Sequence, residues 1–262
     1  MSLASDAQAA PTPPTAARRP RVIIVMPAFN AAKTLLLTHK DIPKEVVDDI
    51  ILVDDASTDD TSTLAETLGI RVIKHPHNVG YGGNQKTCYM EALRLGADVV
   101  IMVHPDNQYD PSFIPKMLRP IAAGTADIVF GSRMLMPGGA RRGGMPLYKF
   151  VFNKILTRLE NLAFGIDLSD AHTGYRAYSS RFLRTVPFLR NSNDFVFDTQ
   201  VIAQASAFGF GMSEVPVTTK YFKEASSVNF RVSAVYGLKT LGVVALFLLA
   251  RFGMYRAKFL RR

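Results

Sequence analysis

Tryptophan is absent and cysteine occurs once, at Cys88, among the 262 residues. A lone cysteine excludes an internal disulfide framework and fits a reducing compartment. His75, His77 and His172 lack any spacing that would build a zinc site, so they read as solvated loop residues. No Gly-x-Ser-x-Gly or Cys–His arrangement supports covalent hydrolase chemistry. Acidic residues are missing from Asn229 to the end, where Arg231, Lys239, Arg251, Arg256, Lys258, Arg261 and Arg262 stand. Those seven account for most of the net charge of +9 and leave the body at +2, which excludes a domain coated in positive charge for nucleic acid. Residues 1–20 hold almost no large apolar side chain and are expected to form a disordered arm. They contain no apolar stretch of the roughly 7–15 residues that a secretory signal needs.

What is present suits a folded domain: 48% of residues are apolar and 20% are charged, in a chain long enough to bury a sizeable core. Short β-branched runs at 22–26, 50–53, 70–73, 99–103 and 126–130 read as strands buried on both faces. Helical stretches lie between them, near 31–40, 59–68, 84–95 and 111–123. This alternation predicts an α/β fold of Rossmann-like type, a mainly parallel central sheet with helices on both faces. Further helices are expected near 146–164 and 194–208, a late edge strand at 214–219, and an amphipathic C-terminal helix over about 233–260. The Gly-rich basic loop 137–144 reads as a mobile segment.

In open parallel sheets ligands bind beyond the carboxyl ends of the strands, and the polar motifs of this chain fall there. Asp54 and Asp55 close the second strand; two adjacent carboxylates repel unless a donor, such as a base or ribose, meets them. The alternative is a turn with a helix cap at Ser57 or Asp59. His104, Asp106 and Gln108 follow the fourth strand at alternate positions, so three possible metal ligands point to one side. Carboxylate and amide oxygens suit Mg²⁺ or Mn²⁺, and imidazole shifts the preference towards Mn²⁺; the alternative is a polar turn stiffened by Pro105. Gly80, Gly82 and Gly83 precede a helix, where backbone could approach phosphate, or simply turn.

Taken in order, these segments resemble the family-two glycosyltransferases with the glycosyltransferase A fold, and among them the polyprenyl-phosphate sugar synthases. The likeness covers about residues 21–230. Pro27, Ala28, Phe29 and Asn30 resemble a first nucleotide-contacting strand end, and 53–59 the base-binding Asp-Asp-x-Ser segment. Asn78, Gly80 and Gly82 are similar to the family's Asn-x-Gly-x-Gly turn, Gly131-Ser132-Arg133 to its Gly-Ser-Arg, and Thr173-Gly174-Tyr175-Arg176 to the synthases' Ser-Gly-Phe-Arg. Where the family has Asp-x-Asp this chain has His104-Pro105-Asp106, and Ala31 and Ala32 replace an acid in the first motif. A chain without tryptophan cannot carry the Gln-x-x-Arg-Trp motif of processive polysaccharide synthases.

The resemblance implies inverting transfer of one sugar from a nucleotide-diphosphate donor, of UDP-glucose or GDP-mannose type, with a polyprenyl phosphate as the expected acceptor. It implies nucleotide contacts from Pro27, Ala28, Phe29, Asn30, Asp54, Asp55, Gly80 and Pro105, with Mg²⁺ or Mn²⁺ on His104, Asp106 and Gln108. Arg133, Arg141, Arg142 and Arg176 are expected on phosphate or acceptor. Asp106, Arg133 and Asp198 are the candidate catalytic groups, Asp198 serving as base if the acceptor is a hydroxyl. The alternatives are that hydroxyl acceptor and a non-catalytic nucleotide-sugar-binding protein; a nucleotidyltransferase is disfavoured by Pro27–Asn30 standing where a Gly-rich basic signature belongs. Residues 231–262, apolar over 241–250 and basic beyond, are expected to dock on an anionic membrane surface at the cytoplasmic face. Ten apolar residues fall short of the roughly twenty a spanning helix needs.

Overall fold

The computed structural model describes residues 18–221 and 230–261. Residues 1–17 of the expected arm lie outside them; Arg18 pairs with Asp98 at 2.9 Å and Arg19 with Asp48. Seven strands form one sheet: β1 (Val22–Ala28), β2 (Asp49–Asp54), β3 (Arg71–Lys74), β4 (Val99–Met102), β5 (Ile128–Ser132), β6 (Arg176–Ser179) and β7 (Met212–Pro216). Their order is β3-β2-β1-β4-β6-β5-β7, parallel throughout except for β6, which runs antiparallel between β4 and β5.

Nine helices accompany the described strands: α1 (Ala32–Lys40), α2 (Thr61–Thr67), α3 (Tyr81–Arg94), α4 (Ile114–Ala122), α5 (Gly139–Arg142), α6 (Leu147–Phe164), α7 (Ser180–Thr185), α8 (Phe197–Ala207) and α9 (Phe230–Arg251). The sheet is covered on both faces because alternate residues of each strand enter different clusters. Val22, Ile24 and Met26 of β1 join Leu52, Ile101 and Val129 on the α1–α2–α4 side. Ile23 and Val25 join Ile51, Val100 and Phe130 on the side of α3 and α8. Each such side chain contributes roughly 1.5–3 kcal/mol by leaving water.

Several expectations need correction. The strand β6 was not expected, because Arg-Ala-Tyr-Ser carries no β-branched run; its position between two antiparallel partners makes it a strand. The strand expected over 214–219 is β7, displaced towards the N terminus, at the sheet edge. The segment 137–144 holds a helical turn, α5, fastened where Tyr221 N–H donates to the Gly143 carbonyl at 2.8 Å. The C-terminal helix is longer at its start and shorter at its end than expected. It stops at Arg251, before a left-handed Gly253, and Lys258–Leu260 form a separate turn with Phe259 buried.

Helix α9 is apolar on nearly its whole circumference. Val232–Arg251 is long and apolar enough to cross a membrane by length and composition, beyond the ten residues anticipated. Here it packs on α6 and α8, with Val243 and Phe247 in the core. Cys88 of α3 is fully buried, and burial pushes its thiol well above the ordinary range. The native protein should therefore resist alkylation by iodoacetamide at pH 8 and react only when unfolded; rapid native-state labelling would contradict this packing.

Candidate active site

A cleft of about 1040 Å³ opens over the carboxyl ends of β1, β2 and β4. Three non-glycine residues there have left-handed backbone: Asn30 (φ 52°), Ala56 (φ 62°) and Asn107 (φ 54°). Each follows one of those strands, and each such conformation costs roughly 1–2 kcal/mol. The loops are tied to one another. Asn30 N–H donates to Ser57 Oγ at 2.8 Å, Ala31 N–H to Thr61 Oγ1 at 2.7 Å and Ala32 N–H to Asp59 at 3.1 Å. Two threonines of α1 hold the loop after β4: Thr34 Oγ1 donates to the Pro105 carbonyl at 2.7 Å, and Thr38 Oγ1 accepts from Asn107 N–H at 3.0 Å.

Most of the expected nucleotide residues meet in this cleft. Pro27, Ala28, Phe29, Asn30, Asp55, Gly80 and Pro105 line it, and Phe29 projects its ring half-exposed at the rim. Asp54 does not line it. Its carboxylate is buried and accepts Ser57 N–H at 2.9 Å and the Ser62 hydroxyl, so Asp54 holds the turn between β2 and α2. Asp55 faces the cleft but accepts Val79 N–H at 2.9 Å and Gly80 N–H at 3.1 Å, with His75 Nδ1 at 2.8 Å. His75 is therefore a partner of Asp55 and no solvated loop residue.

The glycines of the 78–83 turn serve close packing and not a phosphate cradle. Gly80 and Gly82 face the 192–193 backbone so closely that a Cβ would lie 2.6 Å from Asn193 O and 2.5 Å from Ser192 O. Gly82 N–H is already spent on Asn193 O at 2.8 Å.

His104, Asp106 and Gln108 also line the cleft. The His104 ring stacks on Tyr81 at 5.7 Å, and Gly174 leaves room for it, since a Cβ there would meet the ring at 2.9 Å. Burial pulls the imidazole below its ordinary value against the pull of Asp106 and Asp198, so the ring is neutral at pH 7 with a lone pair available. Asp106 accepts Gln108 N–H at 3.0 Å. Burial raises its carboxyl above the ordinary range, and among the described residues no Lys or Arg pairs with it. No cluster of three His, Cys, Asp or Glu side chains exists among the described residues. The three side chains lining the cleft here are one carboxylate, one imidazole and one amide, ligand types that divalent cations such as Mg²⁺ or Mn²⁺ accept.

Arg133 is the one Arg or Lys lining the cleft among the described residues. Asp170 holds it by two bonds of 2.7 Å, and its third nitrogen donates to Tyr221 at 2.9 Å. The other expected arginines lie elsewhere. Arg141 and Arg142 are exposed on α5, outside the cleft. Arg176 is wholly buried, donating to the carbonyls of Thr173 (2.8 Å) and Ala171 (3.0 Å) and pairing with Asp198 at 3.3 Å. It cannot reach a ligand.

Asp198 lines the cleft and accepts the Tyr81 hydroxyl at 3.0 Å and Gln85 Nε2 at 3.2 Å. Sequence reasoning missed Tyr81, Tyr109, His172 and Tyr236 as cleft residues. His172 sits within the polar patch singled out, whereas nothing about Tyr236, far along the chain in α9, signals its place.

Residues 23–186 match Glycosyl transferase family 2. The chain belongs to that family. It is 28% identical over 217 residues to the UDP-N-acetylglucosamine–dolichyl-phosphate N-acetylglucosaminyltransferase of Methanococcus voltae, covering 76% of this chain and 86% of that one. It is 28% identical over 217 residues to the polyprenol monophosphomannose synthase of Mycolicibacterium smegmatis, covering 79% and 80%. Its fold is similar to glucosyl-3-phosphoglycerate synthase of Mycobacterium tuberculosis in complex with Mn²⁺, uridine diphosphate and phosphoglyceric acid. The TM-score is 0.69 at 18% identity, over 91% of this chain and 80% of that one. The family-two glycosyltransferase therefore has the glycosyltransferase A fold.

Proposed function

We propose that this glycosyltransferase moves one sugar, with inversion, from a nucleoside-diphosphate sugar to a polyprenyl phosphate at a membrane surface. The observation that carries the reading is that α9, whose Val232 and Tyr236 line the cleft, also joins α6 in an exposed apolar face. Val151, Ile155, Leu159 and Leu162, with Phe152, form an exposed apolar stripe on α6, and Leu238, Leu241 and Phe252 are exposed on and just after α9, which packs on it. An apolar acceptor tail would run along that face while its phosphate enters the cleft.

The nucleotide end is the Asn30–Asp55 side, where an Asp55 carboxylate already fixed by backbone N–H groups can take a further donor from a base. Asp106, with His104 and Gln108, would hold Mg²⁺ or Mn²⁺, which when bound neutralises charge growing on the departing diphosphate. Arg133, held flat against Asp170, offers its cleft-facing edge to phosphate oxygens. A phosphate monoester is already anionic near neutral pH, its second pKa being about 6, so attack needs little help from a base. That agrees with Asp198, which is occupied by Arg176, Tyr81 and Gln85. The test is turnover of UDP-glucose, UDP-N-acetylglucosamine and GDP-mannose with a short polyprenyl phosphate, each with Mg²⁺ and Mn²⁺. Sugar transfer to a soluble hydroxyl acceptor with none to the lipid would refute the acceptor.

His104→Asp should preserve or raise Mg²⁺-supported turnover, an oxygen ligand suiting the harder ion. Complete loss with both ions, in a folded variant, would remove His104 from the ligand set.

For the membrane, a surface-lying α9 is favoured over a spanning one, because Tyr236 and Thr240 hydrogen-bond within the domain. The nucleotide sugar then arrives from the cytosol, on the same face. Deleting the segment after Tyr236 would not be a clean test, since Val243, Phe247 and Phe259 belong to the core. Leu162 and Leu238 are 83% and 70% exposed. Leu162→Glu with Leu238→Glu should weaken binding to anionic liposomes by roughly tenfold or more while leaving the thermal melt unchanged; undiminished binding would clear this face of the role.

A further inference from the structure

A polar chain at the far end of the cleft from Asp55 is used by none of these steps. Glu160 of α6 is fully buried behind a helix whose outer face is apolar. Its Oε2 lies 3.0 Å from His172 Nε2, an ion-pair contact, and neither carboxylate oxygen has a hydrogen-bond partner among the described residues. On the other side of the ring, His172 Nδ1 is 2.8 Å from Tyr236 Oη, with the two rings edge-on at 5.5 Å. Tyr236 Oη is also 3.5 Å from Thr199 Oγ1, one residue beyond Asp198. His172 and Tyr236 line the cleft; Glu160 does not.

The contact between Nδ1 and the tyrosine hydroxyl can run in two directions. With a neutral ring protonated at Nε2, Tyr236 donates to Nδ1 and its O–H is turned from the cleft. With an imidazolium, Nδ1–H donates to Tyr236 Oη, and the hydroxyl proton is released towards the cleft. An anionic oxygen in the cleft selects the second direction, because only then is an O–H turned towards it. The extra proton comes from solvent through the open cleft, and no other bond changes. The charged groups facing the chain are Glu160 from α6 and the Asp198–Arg176 pair from α8 and β6.

We propose that Glu160, His172 and Tyr236 form a relay that turns the Tyr236 hydroxyl onto an anionic oxygen of the acceptor. Tyr236 makes the contact; His172 and Glu160 are positioning residues that act through it. The inference rests on the anionic acceptor proposed above. A hydroxyl acceptor would instead need the opposite direction of the chain, with Tyr236 donating to His172.

The experiment uses the full chain with UDP and Mg²⁺, probed by farnesyl phosphate and, separately, by inorganic phosphate. Ring ¹⁵N resonances of His172, identified by their loss in His172→Asn, should move to the doubly protonated pattern when farnesyl phosphate binds. Glu160→Gln keeps a hydrogen-bond acceptor but removes the charge, and should weaken farnesyl phosphate binding about tenfold with UDP affinity unchanged. Tyr236→Phe should do the same, and the double variant should be no weaker than Tyr236→Phe alone, because the two act in one chain. Farnesyl phosphate bound with His172 unmoved, or losses that multiply in the double variant, would overturn the relay while leaving the lipid acceptor standing. Inorganic phosphate moving His172, with farnesyl phosphate binding no tighter than it, would support the relay and remove the lipid acceptor. If neither anion moves His172, the relay is wrong. Should Glu160→Gln fail to fold, the wild-type resonances and Tyr236→Phe still decide.

Discussion

Asp106→Asn is expected to cut sugar transfer by roughly 10²–10³-fold with the fold intact, the scale of losing one preorganised charge at a developing anion. The variant keeps the volume and still accepts Gln108 N–H, so only the charge is removed. Among the described residues no Lys or Arg pairs with that carboxylate, which leaves it open to the proposed cation. Nucleotide affinity should become insensitive to Mn²⁺, which calorimetry reads directly. Unchanged Mn²⁺-dependent UDP binding together with unchanged turnover would remove Asp106 from the metal site. Asp54→Asn offers the contrast: it should lower stability through Ser57 and Ser62 and leave the metal response alone.

Arg176→Met should destabilise the protein by about 3–5 kcal/mol, because it leaves the buried side of Asp198 without its cation. Two carbonyls, of Thr173 and Ala171, lose their donor as well. Against a usual total of roughly 5–15 kcal/mol, such a loss brings the domain close to unfolding at room temperature. Urea melts measure it. An arginine that contacted the acceptor phosphate would behave differently, with an unchanged melt and a raised acceptor KM; that result would contradict the burial described for Arg176.

These two variants mark where the sequence could be read and where it could not. The parallel half was legible because β1, β2 and β4 are continuous apolar runs, and the cleft opens at their polar ends. His104, Asp106 and Gln108 were found by their spacing, although the segment is a turn with Asn107 left-handed and not the extended run that the spacing assumed. Arg176 shares its motif with residues near the cleft, yet an antiparallel strand turns its side chain into the core, and no local pattern announces that strand. Arg141 and Arg142 fall outside the cleft for a related reason: a basic Gly-rich loop looks useful in one dimension, but α5 leaves both side chains exposed elsewhere. The partners of Asp55 and Arg133, namely His75 and Asp170, come from 20 and 37 residues away. Such pairs are set by tertiary packing and leave no periodic trace.

The antiparallel insertion of β6 has a consequence for how the chain comes to be folded. The strands β1 to β4 can pair with one another once residue 102 has been made, whereas β4 must await residues 176–179 before its second edge is closed. During synthesis the emerging N-terminal half therefore presents an apolar edge strand, Val99–Met102, with unpaired backbone groups. Long-range pairing of this kind is slow, and an open apolar edge recruits other chains. Fragments that stop short of β6 should accordingly be poor objects for expression. The insertion also ties the cleft to the final stage of assembly, because the strand that seals the sheet begins with the arginine that holds Asp198. A chain that has not finished folding has no completed site to offer a sugar.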